Sequence, residues 1–363
     1  MLNLKNIALP AGWDAGEMAR LALSDGVTYE TLVQDIDDAL QLAATDVLNS
    51  YVGRLIHVTT ETAVEYAAAG SKGFERRTER ATGDGRRPKT AGHMLPLVSY
   101  DHPLFWTFDY LRNARSAQIY RAVSDVITST KEIIEKSVFE RLFKMEEETG
   151  EAFGLGAGGF SVPFADGGAG TIQYTPPPAP SRGGTFSATH NHFLRLNGIN
   201  QTNLEQAVMH LWEHNIDGPF DLVISLADIT SWTDTANVTG FVLRPDANVT
   251  YGSSETLANI DDVYIGGVKT QYGFVRIYAN GRVPSGYWAV TKTNNVDDPM
   301  NPLWVRTRTG VIAPQLVVEN VGHFPLQGAI PILDMGAGVG ENRVAAVCVQ
   351  NAASGTYTTP VIS

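Results

Sequence analysis

A basic, glycine-flanked arm runs from Gly70 to Gly92 and carries Lys72, Arg76, Arg77, Arg80, Arg86, Arg87 and Lys89 against only Glu75, Glu79 and Asp84. Phe74 is the one large apolar side chain in it before Met94. Such a segment cannot bury enough apolar surface to fold on itself, so it must lie against a partner or stay unfolded. Its flanks read differently. Arg54–Tyr66 is rich in Val, Ile and Thr and alternates, the pattern of a strand, and Met94–Tyr100 reads as a return strand. The whole of 54–100 is therefore expected to be a long two-stranded hairpin with a wide basic tip.

Behind the arm, apolar residues at Ile119, Val123, Val126, Ile127, Ile134, Val138 and Leu142 recur at helical spacing and predict a helix from Leu111 to Glu147. At 1.5 Å per residue that helix would span about 55 Å. Opposite charges at Lys131–Glu135, Glu132–Lys136 and Glu140–Lys144 are spaced to pair along its outer side. A second helix is expected over Tyr29–Leu48, with Leu32, Ile36, Leu40 and Val47 inward and Asp35, Asp37 and Asp38 outward. The two charge-biased regions have opposite sign. Residues 1–52 hold Asp14, Glu17, Asp25, Glu30, Asp35, Asp37, Asp38 and Asp46 against Lys5 and Arg20.

Residues 154–184 are dense in Gly, Ala and Pro and read as a connector. A second domain is expected from about Thr185, opening on a helix with Thr202 and Glu205 as a capping box and an apolar face of Leu204, Val208, Leu211 and Trp212. A buried strand at Phe220–Leu226 follows. Short strands are then expected at 263–265, 274–278, 287–291, 304–307 and 315–318.

Composition narrows the functional classes. The chain has 363 residues with 27 Lys and Arg against 39 Asp and Glu, a net charge of −12. That balance argues against a general nucleic-acid binder, which needs clustered cations for phosphate contact. The single cysteine, Cys348, forms no intrachain disulfide, sits in an apolar run, and reads as a core residue in a reducing compartment. No stretch of about 18 apolar residues is present to span a membrane. Lys5, Pro10 and Asp14 break up the early apolar residues, so no secretory leader is expected.

Candidate chemistry is sparse. His190, Asn191 and His192 spell the letters of a nuclease motif whose residues are not consecutive in real members, so a polar loop is the better reading. His210 and His214 have a spacing that can hold zinc, but Glu213 precedes the second His, where the zinc-protease pattern needs it beside the first. Gly336–Gly340 lacks the Lys-Ser/Thr of a phosphate loop and is expected to be a flexible turn. Trp212, Trp232, Trp288 and Trp304 raise a β-rich hydrolase or carbohydrate-binding alternative, for which no paired-carboxylate spacing is found. The expectation is a non-enzyme with no catalytic residues, no cofactor and no metal.

The order of elements, an acidic N-terminal arm, a charged hairpin, a spine helix, a Gly-rich passage and an α/β domain, resembles the major capsid proteins of tailed bacteriophages. Encapsulin shells and the floor of herpesvirus capsids share that fold. The segment Asp262–Pro284, DVYIGGVKTQYGFVRIYANGRVP, resembles the family's A-domain hairpin, and Tyr287–Lys292 the strand after it. The resemblance implies an α+β, Hong Kong 97-like capsid fold. It would comprise an N-arm (1–53), an extended E-loop (54–101), a P-domain with the spine helix (102–184 and 300–335), and an A-domain with the C-terminal segment (185–299 and 336–363). It also implies an icosahedral shell of hexamers and pentamers around packaged double-stranded DNA, which is held without sequence-specific binding. Scaffold, portal and decoration proteins would be partners, and the protein would be located in the virion after assembly in the host cytoplasm. An encapsulin-like nanocompartment is the alternative on the same fold. Lys72, Arg76, Arg77, Arg80, Arg86, Arg87 and Lys89 are then expected to grip an adjacent subunit, with Asp35, Asp37, Asp38 and Asp46 as acidic partners.

Overall fold

The structure, a computed structural model, describes residues 22–67, 90–102, 106, 108–148, 164, 191–243, 263–318 and 329–362. Helix α1, Tyr29–Asn49, starts where the Thr28 side chain accepts the Thr31 N–H. It buries Leu32, Ile36, Leu40, Ala43 and Val47, as its periodicity predicts. A 3₁₀ turn at Val52–Arg54 reverses the chain tightly against its end. Only glycine fits at position 53, because a Cβ there would lie 1.8 Å from the Leu48 carbonyl oxygen.

The expected strand 54–66 is two strands that belong to different sheets. Strand β1, Ile56–Thr59, runs parallel to β11, Leu303–Thr307. Strand β2, Ala63–Ala67, pairs instead with β3, Thr90–Met94, as an antiparallel hairpin. Alternation alone cannot show this change of partner. The return strand β4, Val98–Asp101, likewise leaves the hairpin and pairs with β13, Ala329–Val339.

The expected 37-residue spine is broken. A short helix α2, Phe108–Asn113, precedes the spine helix α3, Ser116–Phe143, whose 28 residues span about 42 Å. Arg115 between them is extended, and the new start is fixed by side chains. Gln118 Oε1 accepts the Arg115 N–H at 3.1 Å, and Asp25 accepts both the N–H and the hydroxyl of Ser116. Three of the charges on α3 reach other elements. Lys131 binds Asp46 on α1 at 3.1 Å, and Glu132 and Glu135 face Arg282.

A seven-stranded sheet has the order β5-β14-β10-β6-β9-β8-β7. Its strands are Phe193–Leu196 (β5), Phe220–Ser225 (β6), Phe241–Leu243 (β7), Val263–Thr270 (β8), Gly273–Asn280 (β9), Tyr287–Lys292 (β10) and Ala346–Asn351 (β14). Helix α4, Gln201–Glu213, covers one face through Leu204, Val208 and Leu211 over Leu222, Ile224, Ile277 and Val290. Its cap is Asn200, which accepts the Asn203 N–H at 2.9 Å, and not the Thr202/Glu205 box. A short helix α5, Ile229–Thr233, follows β6.

In the five-stranded sheet, β13 pairs β4 along one edge, and β11 and β12 (Gln315–Val318) in succession along the other. The main core lies between the sheets. Val223, Ala289 and Cys348 meet Ile134, Val138 and Leu142 of the spine and Val305, Leu333 and Met335 of the smaller sheet. A second core joins α1 to α2 and the first turns of α3. No described helix is long and apolar enough to cross a membrane.

Candidate subunit-contact surfaces

The hairpin is anchored at its base. Gly336, Gly338 and Gly340 alternate on the outward face of β13 while Met335, Ala337 and Val339 enter the core. Gly336–Gly340 is thus strand and not the expected flexible turn, with Gly340 just past the strand's end. Its glycines make a flat seat: a Cβ at Gly336 would lie 2.2 Å from the Pro96 carbonyl oxygen, and one at Gly340 2.4 Å from the Trp304 ring. Val64 and Leu95 pack on Trp304 over this seat. Arg306 donates to the Leu95 carbonyl at 3.2 Å, and His93 Nε2 donates to the Val339 carbonyl at 2.9 Å. Burial, with the Arg343 and Arg141 cations adding to it, lowers the His93 pKa to about 3, so the ring is neutral at pH 7.

The predicted arm residues Lys72, Arg76, Arg77, Arg80, Arg86, Arg87 and Lys89 lie outside the described residues. Their proposed acidic partners on α1 differ from one another. Asp35 accepts the Tyr120 hydroxyl at 2.6 Å, which pushes that phenol up to about 12, and Asp46 holds Lys131. These two carboxylates are therefore committed to the spine of their own chain. Asp38 is exposed and Asp37 half-exposed on the remaining sides of the helix.

A polar knot that the sequence reading missed ties the seven-stranded sheet to the turn before β1. Asp221 on β6 is buried, and its carboxylate accepts from Arg276 Nε at 2.8 Å and from the Thr293 hydroxyl at 2.7 Å. Arg54 approaches it at 3.5 Å from the turn after α1. Asp221 and Arg276 are direct cross-strand neighbours, but no local pattern reveals that pairing 55 residues apart.

The chemical candidates resolve as packing. His192 is buried, donates from Nδ1 to the Ala346 carbonyl at 2.8 Å, and accepts the His214 Nε2–H at 3.0 Å; His190 lies outside the described residues. His210 donates to the Gln206 carbonyl, and among the described residues no group of three ligands could hold a metal. Burial pushes the Cys348 thiol up, and it donates to the Leu142 carbonyl. Trp232 and Trp288 are buried edge to face at 5.2 Å, Trp304 lies under the hairpin, and Trp212 packs against Tyr272, so these indoles form no open binding platform.

No protein-family profile and no curated protein matches the chain. Solved structures do. A chain of Mycobacterium phage Patience aligns over 95% of this chain and 94% of its own, at 21% identity and a TM-score of 0.61. The capsid of Ralstonia phage GP4 aligns over 84% and 91%, at 10% identity and 0.47. A virus-like particle from Pyrococcus furiosus aligns over 86% and 98%, at 11% identity and 0.39. The fold is the one shared with the Mycobacterium phage Patience chain. More particularly, this chain has the α+β, Hong Kong 97-like capsid fold, with a spine helix, a hairpin and two sheets arranged as described.

Proposed function

We propose that this chain is a major capsid protein that self-assembles into an icosahedral shell around double-stranded DNA. The observation that carries this reading is the match of fold along 95% of the chain to a phage chain. A hairpin anchored on the outward face of its own sheet, with a strongly basic segment beyond the anchor, supports it. In this reading residues 1–53 are the N-arm. The E-loop proper is the β2–β3 hairpin within 54–101, and β1 and β4 at its root belong with the P-domain sheet. The 191–292 sheet region with β14 is the A-domain.

The arm's Lys72, Arg76, Arg77, Arg80, Arg86, Arg87 and Lys89 reach a neighbouring subunit. Asp37 and Asp38 are better placed to receive them than Asp35 and Asp46, which already hold Tyr120 and Lys131. Each exposed pair contributes only about 0.2–1 kcal/mol. Repetition around a closed shell makes the sum decisive. Arginine's planar fork suits carboxylates better than lysine's point charge. An acidic subunit suits a container whose DNA must slide during packaging, with portal and scaffold proteins as further partners in the host cytoplasm.

Electron microscopy of the purified protein tests the reading. Closed shells are expected, and a monomer under every assembly condition refutes it. Reversing Arg76, Arg77 and Arg80 to Glu is expected to abolish shells while the subunit keeps its helical circular dichroism. Normal shells from that variant refute the role of the arm.

A further inference from the structure

The loop Thr293–Asn301 between β10 and β11 is fixed unusually firmly for an exposed segment. Asp297 donates its N–H to the Gly53 carbonyl at 3.0 Å, and its carboxylate accepts the Val58 N–H at 2.6 Å and His57 Nδ1 at 3.0 Å. Asn301 donates to the Ile56 carbonyl at 2.7 Å, and Trp304 Nε1 donates to the Pro299 carbonyl at 3.1 Å. Asp297 itself has a φ of +53°, in the left-handed region that its short polar side chain tolerates. The rigid loop leaves Val296 42% and Met300 53% exposed, with Asp298 between them.

A second exposed apolar pair lies on the seven-stranded sheet. The register Val242↔Gly267↔Arg276 and Lys269↔Phe274 puts all five residues on one face, since Phe241, Val268, Val275 and Ile277 enter the core under α4. Phe274 lies across Gly267, where a Cβ would be 2.1 Å from its ring. Val242 is 54% and Phe274 41% exposed, and Lys269 is exposed beside them. An open antiparallel face ordinarily presents polar side chains. The loop and this face are joined through one carboxylate, because Asp221 binds both Arg276 of the face and Thr293 at the root of the loop. The result is one strip with an apolar, acidic end and an apolar, basic end.

We infer that this strip is an interface between copies of this chain, in which the 293–301 loop of one copy docks on the β7–β9 face of the next. Val296 and Met300 meet Val242 and Phe274, and Asp298 faces Lys269 at the rim. Apolar centres with charged rims are the common anatomy of such contacts. With each copy giving its loop to one neighbour and its face to another, the contact is head-to-tail and closes into a ring where the rotation between copies allows. The inference rests on the self-assembly proposed above, and names a contact that does not use the basic arm.

The test mixes two full-length variants, Val242→Cys and Met300→Cys, under mild oxidation. A disulfide-linked dimer is expected only in the mixture; the native Cys348 is buried and does not compete. Phe274→Ser with Val242→Ser is expected to lower the assembled fraction at fixed concentration by about tenfold with little change in melting temperature. Lys269→Glu is expected to weaken assembly and Asp298→Lys to restore it in part. An oligomeric mixture that yields no disulfide dimer overturns the inference, as do unaltered shells from the double serine variant. Disulfide dimers from a protein that never forms shells would support this contact and sink only the capsid reading.

Discussion

The two sheets are built in opposite ways. The seven-stranded sheet draws six of its strands from 193–292 and one, β14, from 346–351. Its central strand β6 is buried at all six positions, and the sheet carries its own helix, α4. The five-stranded sheet collects β1, β4 and β11–β13 from positions as far apart as 56 and 339. Its outward face is covered by the root of a hairpin rather than by a helix. The first sheet depends on apolar patterning and one buried polar knot. The second depends on close backbone approach at a few glycines. The difference teaches where each half is fragile, and substitution can test it.

The largest expected effect is at the seat. Gly336→Val drives a side chain into the Pro96 carbonyl and should cost more than about 4 kcal/mol, read as loss of folded protein or a collapsed urea midpoint. A well-folded variant would show that the hairpin root is not seated there. In the larger sheet, Asp221→Ala leaves the Arg54 and Arg276 guanidiniums without their shared carboxylate and should cost about 3 kcal/mol in chemical denaturation. A cost near zero would mean that β6 is not tied to the turn before β1 through this residue.

Acid separates the halves next. His93 is neutral when folded, with a pKa of about 3, and titrates near 6.5 when unfolded. Its contribution is therefore fully present above about pH 6.5 and is lost as pH falls from there toward 3, by about 1.4 kcal/mol per unit. Hydrogen exchange across Thr90–Met94 should rise in acid before exchange in β6 does, and His93→Gln should flatten that difference. Equal rates in both strands would remove the comparison. The smallest effect belongs to the half-exposed Lys131–Asp46 pair, where Lys131→Ala should change stability by less than about 1 kcal/mol. A larger loss would mean that α1 is held to the spine mainly by charge and not by its apolar face.

Legibility in the sequence followed the same division. Strands β6, β9, β10 and β12, and helices α1 and α4, were readable because each shows its own periodicity over a contiguous stretch. The break at Arg115 was not, because Ala114 and Arg115 are ordinary helix residues, and the new start is set by Asp25, which holds Ser116 from 91 positions away. The split of 54–66 was hidden because alternation tells which side chains are buried, not which strand they pair with. Gly336–Gly340 looked like a turn because glycine marks both flexible chain and close packing, and only the position of Pro96 decides between them. For the contact surfaces, the charge bias of the arm was plain in the sequence. The commitment of Asp35 and Asp46 to Tyr120 and Lys131 required the packing of α1 on α3.

The segment after β14 has a bearing on timing. Tyr357 and Ile362 are buried in the main core, and the Tyr357 hydroxyl donates to the Phe143 carbonyl at the end of the spine. The β2–β3 hairpin and α1 leave the ribosome long before these residues exist. The core that positions the hairpin root cannot close until residue 362 has been made. A nascent chain thus carries the β2–β3 hairpin before the core beneath its seat can close, so the seat forms only after Ile362 has been made.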